Sequence, residues 1–191
     1  MKYIIEHLEH KLYPWCLIEY EHMSKHVGKK NLLFTKVPKK DQAKLKRFGE
    51  VTDKSVLELD LQKACLLDPK AKKILTPSDA KKFDYCIFGG ILGDHPEQGR
   101  TEKYLTSKLK NAEIRNLENK QMSTDTAVIV TDLILKGTPY EKLTFKDEPE
   151  VILNKGVVDE SVILPYRYLI KDGKLLISKK LLTYLKMKEE L

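Results

Sequence analysis

The chain encodes an α/β domain with a mainly parallel sheet covered on both faces, and three observations carry that expectation. Short apolar runs alternate with helical stretches from Lys2 to Lys136, as strands and their crossover helices do. The run Tyr85-Cys86-Ile87-Phe88 empties into Gly89-Gly90 and then Gly93-Asp94-His95-Pro96, where backbone without side chains can approach a ligand closely. About thirty residues on, a second short run ends in the polar loop from Asn116 to Asp125, which opens a helix. In parallel sheets, ligands bind beyond the carboxyl ends of the strands, where both loops lie. Two such loops point to one nucleotide-like ligand.

The elements follow in order. Lys2 to His7 is a short strand. Pro14 starts a helix whose Cys16, Tyr20, Met23 and Val27 share one face before Gly28 ends it. Residues 31–37 form a second strand and 39–48 a basic helix, while 57–59 are ambiguous. Ala64 to Leu67 is a third strand closed by Asp68-Pro69, and Thr76-Pro77-Ser78-Asp79 caps a short helix. Residues 85–88 are the fourth strand, 101–110 a helix, 112–115 the fifth strand and 126–136 a helix stopped by Gly137. The last forty residues break the rhythm: 145–150 are polar, 160–169 alternate like one strand, and Lys171-Asp172-Gly173-Lys174 is a hairpin turn. A terminal helix over 180–188 follows. We expect one domain over 1–191, with 160–191 as an extension packed on the core.

Composition narrows the function. Three cysteines, Cys16, Cys65 and Cys86, are spaced too widely for a disulfide framework or a CxxC metal half-site, which reads as cytoplasmic, with Cys86 in the core. No apolar stretch is long enough for a membrane span, and the N-terminus is charged too early for a signal peptide. The formal net charge of +7 suits a polyanionic partner such as RNA or the ribosome. It equally suits a lysine-rich solvated surface. Arginine occurs only at 47, 100, 115 and 167, and three of these sit in or beside motif-like segments. Because the planar fork of arginine holds carboxylates or phosphates bidentately, Arg100, Arg115 and Arg167 are read as site residues or as internal ion pairs.

Other constellations are weaker. His22 and His26 are four apart, as metal ligands can be, but Met23 stands where a zinc protease has glutamate and no third ligand is evident. No metal is expected. Trp15 and Tyr13 offer an aromatic wall for a base or an arginine side chain, or simply pack the helix entry. Lys40, Lys44 and Arg47 share a helix face that reads a phosphate backbone or is merely solvated. The absence of GxxxxGK[ST] argues against a nucleoside triphosphatase.

Four segments taken together, 88–96, Arg115-Asn116-Leu117, 121–127 and 165–169 with Asp172-Gly173, resemble the family once catalogued as predicted S-adenosylmethionine-dependent RNA methyltransferases. That family is of the SPOUT class, and its fungal branch is associated with arginine methylation of a small-subunit ribosomal protein. The resemblance implies a C-terminal trefoil knot, a topology no periodicity argument would propose, with S-adenosylmethionine bent into it. It implies a first cofactor loop of Gly89, Gly90, Leu92, Gly93 and Asp94, a second of Asn116 and Leu117, and a third of Gln121, Met122, Ser123, Thr124 and Asp125. Ser123 or Thr124 can cap helix amides. Asp125 either complements the positive helix end or pairs with the ammonium of the cofactor.

Methyl transfer from a sulfonium needs in-line approach of a nucleophile with a free lone pair. A guanidinium target stays protonated, with a pKa above about 12, so nearby carboxylates must orient it and help its proton leave. Asp94 and Glu97 are placed for that role. His95 is either the proton acceptor or a His-Pro turn residue. If the acceptor is RNA, Arg100 and Arg167 grip phosphate. The expected activity is therefore methylation of a translation component, an arginine of a ribosomal protein ahead of rRNA or tRNA, by a cytoplasmic monomer ahead of a homodimer. The rival of another class is a non-catalytic RNA- or ribosome-binding module, against which the intact glycine and Thr-Asp-Thr motifs speak.

Overall fold

In a computed structural model that describes residues 1–90, 99, 101–154 and 160–189, the alternating runs become six parallel strands. They are β1 (Lys2–His7), β2 (Leu32–Thr35), β3 (Glu50–Val51), β4 (Ala64–Leu67), β5 (Tyr85–Gly90) and β6 (Ala112–Arg115). They pair in the order β3-β2-β1-β5-β4-β6, every pairing parallel. All six therefore end on one edge of the sheet, with β1 and β5 at its centre.

Burial on both faces explains why the strands read as unbroken apolar runs. On one face Tyr3, Ile5, Phe34, Cys65, Cys86 and Phe88 pack under helices α1 (Pro14–Val27) and α3 (Thr124–Leu135). On the other, Ile4, Leu66 and Ile87 meet Val56 and Leu105. Burial pushes the Cys16 thiol up to about 12, so it behaves as a small apolar core group. Gly28, at φ 85, ends α1 in a conformation that side chains avoid. The basic helix α2 is shorter than expected, Lys39–Leu45.

Several expectations need correction. The helix expected over 101–110 is a single π-helical turn, Glu102–Thr106, a form that costs regular hydrogen bonding and is kept where local geometry matters. The helix after the second loop starts at Thr124, two residues early, which draws the Thr-Asp-Thr element inside it. The polar stretch after residue 143 is strand: β7 (Thr144–Asp147) and β8 (Glu150–Asn154) were hidden because most of their side chains are exposed. Residues 160–169 are two strands, β9 (Glu160–Ile163) and the start of β10 (Arg167–Lys171), split at Pro165, which has no amide to pair. The Asp172-Gly173 turn joins β10 to β11 (Lys174–Leu175) as expected. The order β11-β10-β7 makes a small antiparallel sheet and β8 pairs with β9. Helix α4 (Lys179–Glu189) lies against α1, where Lys180 reaches Glu21 at 2.7 Å. Among the described residues, no helix is long and apolar enough to cross a membrane.

Candidate active site

The carboxyl edge gathers three chain segments. Gly89 and Gly90, the last residues of β5, stand beside Glu6 and His7 of β1. A Cβ on Gly90 would lie 2.8 Å from the Glu6 carbonyl oxygen, 2.9 Å from Ile5 Cγ2 and 3.3 Å from the Tyr20 hydroxyl. Glycine at 90 is thus required by strand and helix packing against it, a reason distinct from the ligand approach expected of it. Around it the polar groups are matched. Glu6 accepts from the Thr35 hydroxyl at 2.5 Å, the Ser55 hydroxyl at 2.6 Å and the Val56 amide at 2.9 Å. His7 Nδ1 meets the Tyr20 hydroxyl at 2.8 Å, and burial holds its imidazole below the ordinary value, hence neutral.

The second segment follows β6. Asn116 is spent on the fold: its side-chain amide donates to the Ala71 carbonyl at 2.6 Å and its Oδ1 accepts the Glu118 amide at 3.0 Å. Leu117 is buried in the core. Gln121 accepts the Arg167 amide at 2.9 Å through its carbonyl, and Met122 bridges to Arg167, so β10 is docked along this loop.

The third segment is the first turn of α3. Ser123 is its N-cap residue but caps no amide; its hydroxyl donates to Thr126 Oγ1 at 2.8 Å. Capping comes from elsewhere. The Thr126 amide donates to Asp125 Oδ1 at 2.9 Å, and the Asp125 amide donates to the carboxyl group of Glu19 on α1. Asp125 Oδ2 also lies 2.6 Å from His22 Nδ1. Glu19 is 9% exposed, and its Oε2 has no hydrogen-bond partner. Burial first, and then the Asp125 charge, pushes the Glu19 carboxyl well above the usual carboxylate range. Tyr168 of β10 completes the cluster. It is hydrogen-bonded to Ser123, and its hydroxyl is pushed up by burial and by the Asp125 and Glu19 charges. One turn of α1 therefore links two segments: Tyr20 abuts Gly90 while Glu19 holds the start of α3.

The expected site residues divide accordingly. Gly89, Gly90, Asn116, Leu117, Gln121, Met122, Ser123, Thr124 and Asp125 lie on these segments. Leu92, Gly93, Asp94, His95, Glu97 and Arg100 lie outside the described residues. Trp15 stacks on Tyr13 at 4.3 Å and packs on the core at the entry to α1. Arg167 sits beside the second loop with its fork filled: Asp147 takes Nε at 2.6 Å and Nη2 at 3.0 Å, and the Tyr140 hydroxyl lies 2.9 Å from Nη1. All three guanidinium nitrogens thus have partners within the chain. Arg115 forms a buried ion pair with Asp79 at 3.2 Å and also reaches the exposed Glu113 at 2.7 Å. His22 and His26 pair with Asp125 and Asp132 on α3, and among the described residues no group of three potential ligands could hold a metal. Lys44 is tied to Asp41, and Arg47 stacks on Phe48.

Sequence reasoning passed over Glu19 and Tyr168. The signal for Glu19 was present: it falls three residues after Cys16 and four before Met23, inside the apolar stripe of α1, where an acid is costly unless it is used.

Across residues 2–190 the chain matches the family model described as protein arginine N-methyltransferase SFM1-like. It is 38% identical over 204 residues to protein arginine N-methyltransferase SFM1 of Saccharomyces cerevisiae, covering 97% of this chain and 94% of that one. The crystal structure of the yeast arginine methyltransferase SFM1 complexed with SAM superimposes with a TM-score of 0.89 at 37% identity, covering 100% of this chain and 92% of the other. The complex of the same enzyme with MTA gives 0.82 at 35% identity, over 97% and 100% of the two chains. The crystal structure of a dual specific Trm10 from Thermococcus kodakaraensis shares the fold alone, with a TM-score of 0.58 at 14% identity over 74% of this chain and 95% of its own. This places the parallel sheet among SPOUT-like folds, and the chain belongs to the SFM1-like protein arginine N-methyltransferase family.

Proposed function

We propose that this protein transfers a methyl group from S-adenosylmethionine to an arginine side chain, and that a ribosomal protein presents that arginine. The observation that carries the reading is the convergence of the β5 end, the loop after β6 and the first turn of α3 in a member of this family. The residues there suit the cofactor. Gly89 offers half-buried backbone without a side chain, the half-buried Met122 offers apolar surface for an adenine, and the α3 terminus is set by Glu19 and Asp125. When bound, the cofactor supplies a methyl group on a positively charged sulfur.

The chain's part is orientation. Docking of β10 on Gln121 and Met122 fixes the second loop, and the His22–Asp125 contact fixes the third. Acidic groups suit a cationic acceptor better than a nucleic acid. Lys44 of α2 and Arg47 just beyond it are already engaged within the chain, which adds little support for RNA. Asp94 and Glu97, which lie outside the described residues, are part of this reading as the carboxylates that orient the guanidinium, as are His95 and Arg100. With it go the trefoil knot of the SPOUT class, a single domain with 160–191 as its cover, and action as a cytoplasmic monomer.

Incubation with labelled S-adenosylmethionine and ribosomal fractions tests the reading. Label should appear as methylarginine after acid hydrolysis of the protein fraction. Label confined to nucleosides, or none in either fraction while the cofactor is bound, would refute it.

A further inference from the structure

The cluster of Glu19, Asp125, His22, Ser123 and Tyr168 contains an oxygen that the fold does not use. Glu6, more deeply buried at the neighbouring strand end, has three donors, and Asp125 has two. Glu19 receives the Asp125 amide and nothing on Oε2. An unmet carboxylate oxygen this deep costs about 1–3 kcal/mol, and a methionine or leucine at 19 would fill the stripe without that cost. Two acids side by side at a buried helix start also raise each other's energy when both are charged. The arrangement asks for a cation with several N–H donors. A guanidinium has five, in a plane that can reach two carboxylates at once.

We infer that Glu19 is a catalytic carboxylate whose Oε2 receives the guanidinium of the substrate arginine and takes up the proton released in transfer. The inference rests on the arginine reading above and adds the acid that reading lacks within the described fold. The step balances. The Nη–CH3 bond forms as the CH3–S⁺ bond breaks, and the electron pair of that bond goes to sulfur, leaving a neutral thioether. One Nη proton passes to Glu19, and the methylated guanidinium departs as a monocation. The high proton affinity of the buried carboxyl fits this sequence. Burial and the neighbouring Asp125 raise its affinity for a proton, which suits it to accept the one released from Nη, and any proton it carries beforehand leaves to solvent as the guanidinium arrives. Asp125, held by His22 and the Thr126 amide, stays in place as the second carboxylate, and Tyr168 borders both.

The test uses the full chain, S-adenosylmethionine and an arginine peptide that the parent protein methylates. Glu19→Gln keeps the shape and an acceptor for the Asp125 amide. It should lower kcat about 100-fold or more while cofactor affinity stays within about threefold of the parent. Unchanged kcat overturns the inference. A loss of cofactor affinity matching the loss of rate also overturns it, because Glu19 would then serve the cofactor's ammonium. Absence of methylarginine with the parent protein would refute the arginine reading itself, a different failure. Infrared difference spectra of the parent protein, loaded with S-adenosylhomocysteine, do not depend on the variant folding. Adding the peptide should change a carboxyl band in the parent, and spectra with no change in any carboxyl band contradict the inference.

Discussion

Helices α1 and α3 meet twice, and the two meetings are built from the same residue types with opposite results. Toward the C-terminal half of α3, Asp132 has three donors: the Tyr3 hydroxyl at 2.8 Å, Lys136 at 2.8 Å and His26 at 3.2 Å. Against the cost of burial, these hold its carboxyl below the usual range. At the first turn of α3, seven residues earlier, Asp125 has His22, but the neighbouring acid Glu19 has an oxygen with no donor and a carboxyl pushed well up. Both meetings pair a histidine of α1 with an aspartate of α3. Only one is satisfied by the chain itself. The satisfied end holds the helices together, and the unsatisfied end is where a ligand has something to gain.

Asp132→Ala should strike stability hardest. It removes a buried acceptor and leaves the Tyr3 hydroxyl without one, for a loss of about 2–4 kcal/mol in chemical unfolding. A loss under about 0.5 kcal/mol would mean that this end is no clamp. The stabilisation should be complete above the ordinary aspartate pKa of about 4 and disappear as pH falls through the depressed folded value, readable as a falling Tm in acid.

Gly90→Ala comes next, because a Cβ at 2.8 Å from the Glu6 carbonyl forces β1 or the Tyr20 turn to move. About 1–3 kcal/mol should be lost, with methyl transfer slowing because the same turn of α1 carries Glu19. Full stability in this variant would contradict the packing described at the sheet edge.

The smallest stability effect, and of opposite sign, belongs to Glu19→Gln. A carboxyl whose folded pKa is raised makes the folded state bind more protons than the unfolded one. Stability is therefore lost as pH rises above about 4.3, until the raised folded value is passed. The glutamine variant should match the parent near pH 4 and be the more stable of the two near pH 8, by up to about 1 kcal/mol. A parent protein that outlasts the variant at pH 8 would mean that the free oxygen is satisfied after all.

The sheet was legible in the sequence because its strands are buried on both faces and punctuated by Pro and Gly. β1 and β4 appear at their expected boundaries, and α1 ends at Gly28. What stayed hidden lacks that contrast. β7 shows only Phe145 to the interior side of a largely exposed strand, and β3 is two residues long. At the site, the glycine and Thr-Asp-Thr loops announced themselves through composition. Glu19 was marked only by an acid's place in the apolar stripe of α1; its partner Asp125 is more than a hundred residues away in sequence, and only folding reveals that one of its oxygens is left over. Arg115 and Arg167 show the converse. Their rarity suggested a site, and their surroundings supply Asp79, Glu113 and Asp147 as internal partners.

The difference between the two ends is tested most directly by single-turnover methyl transfer to an arginine peptide in Glu19→Gln and Asp132→Asn, each at a temperature where it is fully folded. The transfer rate should collapse by about 100-fold or more in the Glu19 variant, and stay within about threefold of the parent in the Asp132 variant. Equal rates in the two, or the larger loss at Asp132, would contradict the assignment of one end to the fold and the other to the substrate.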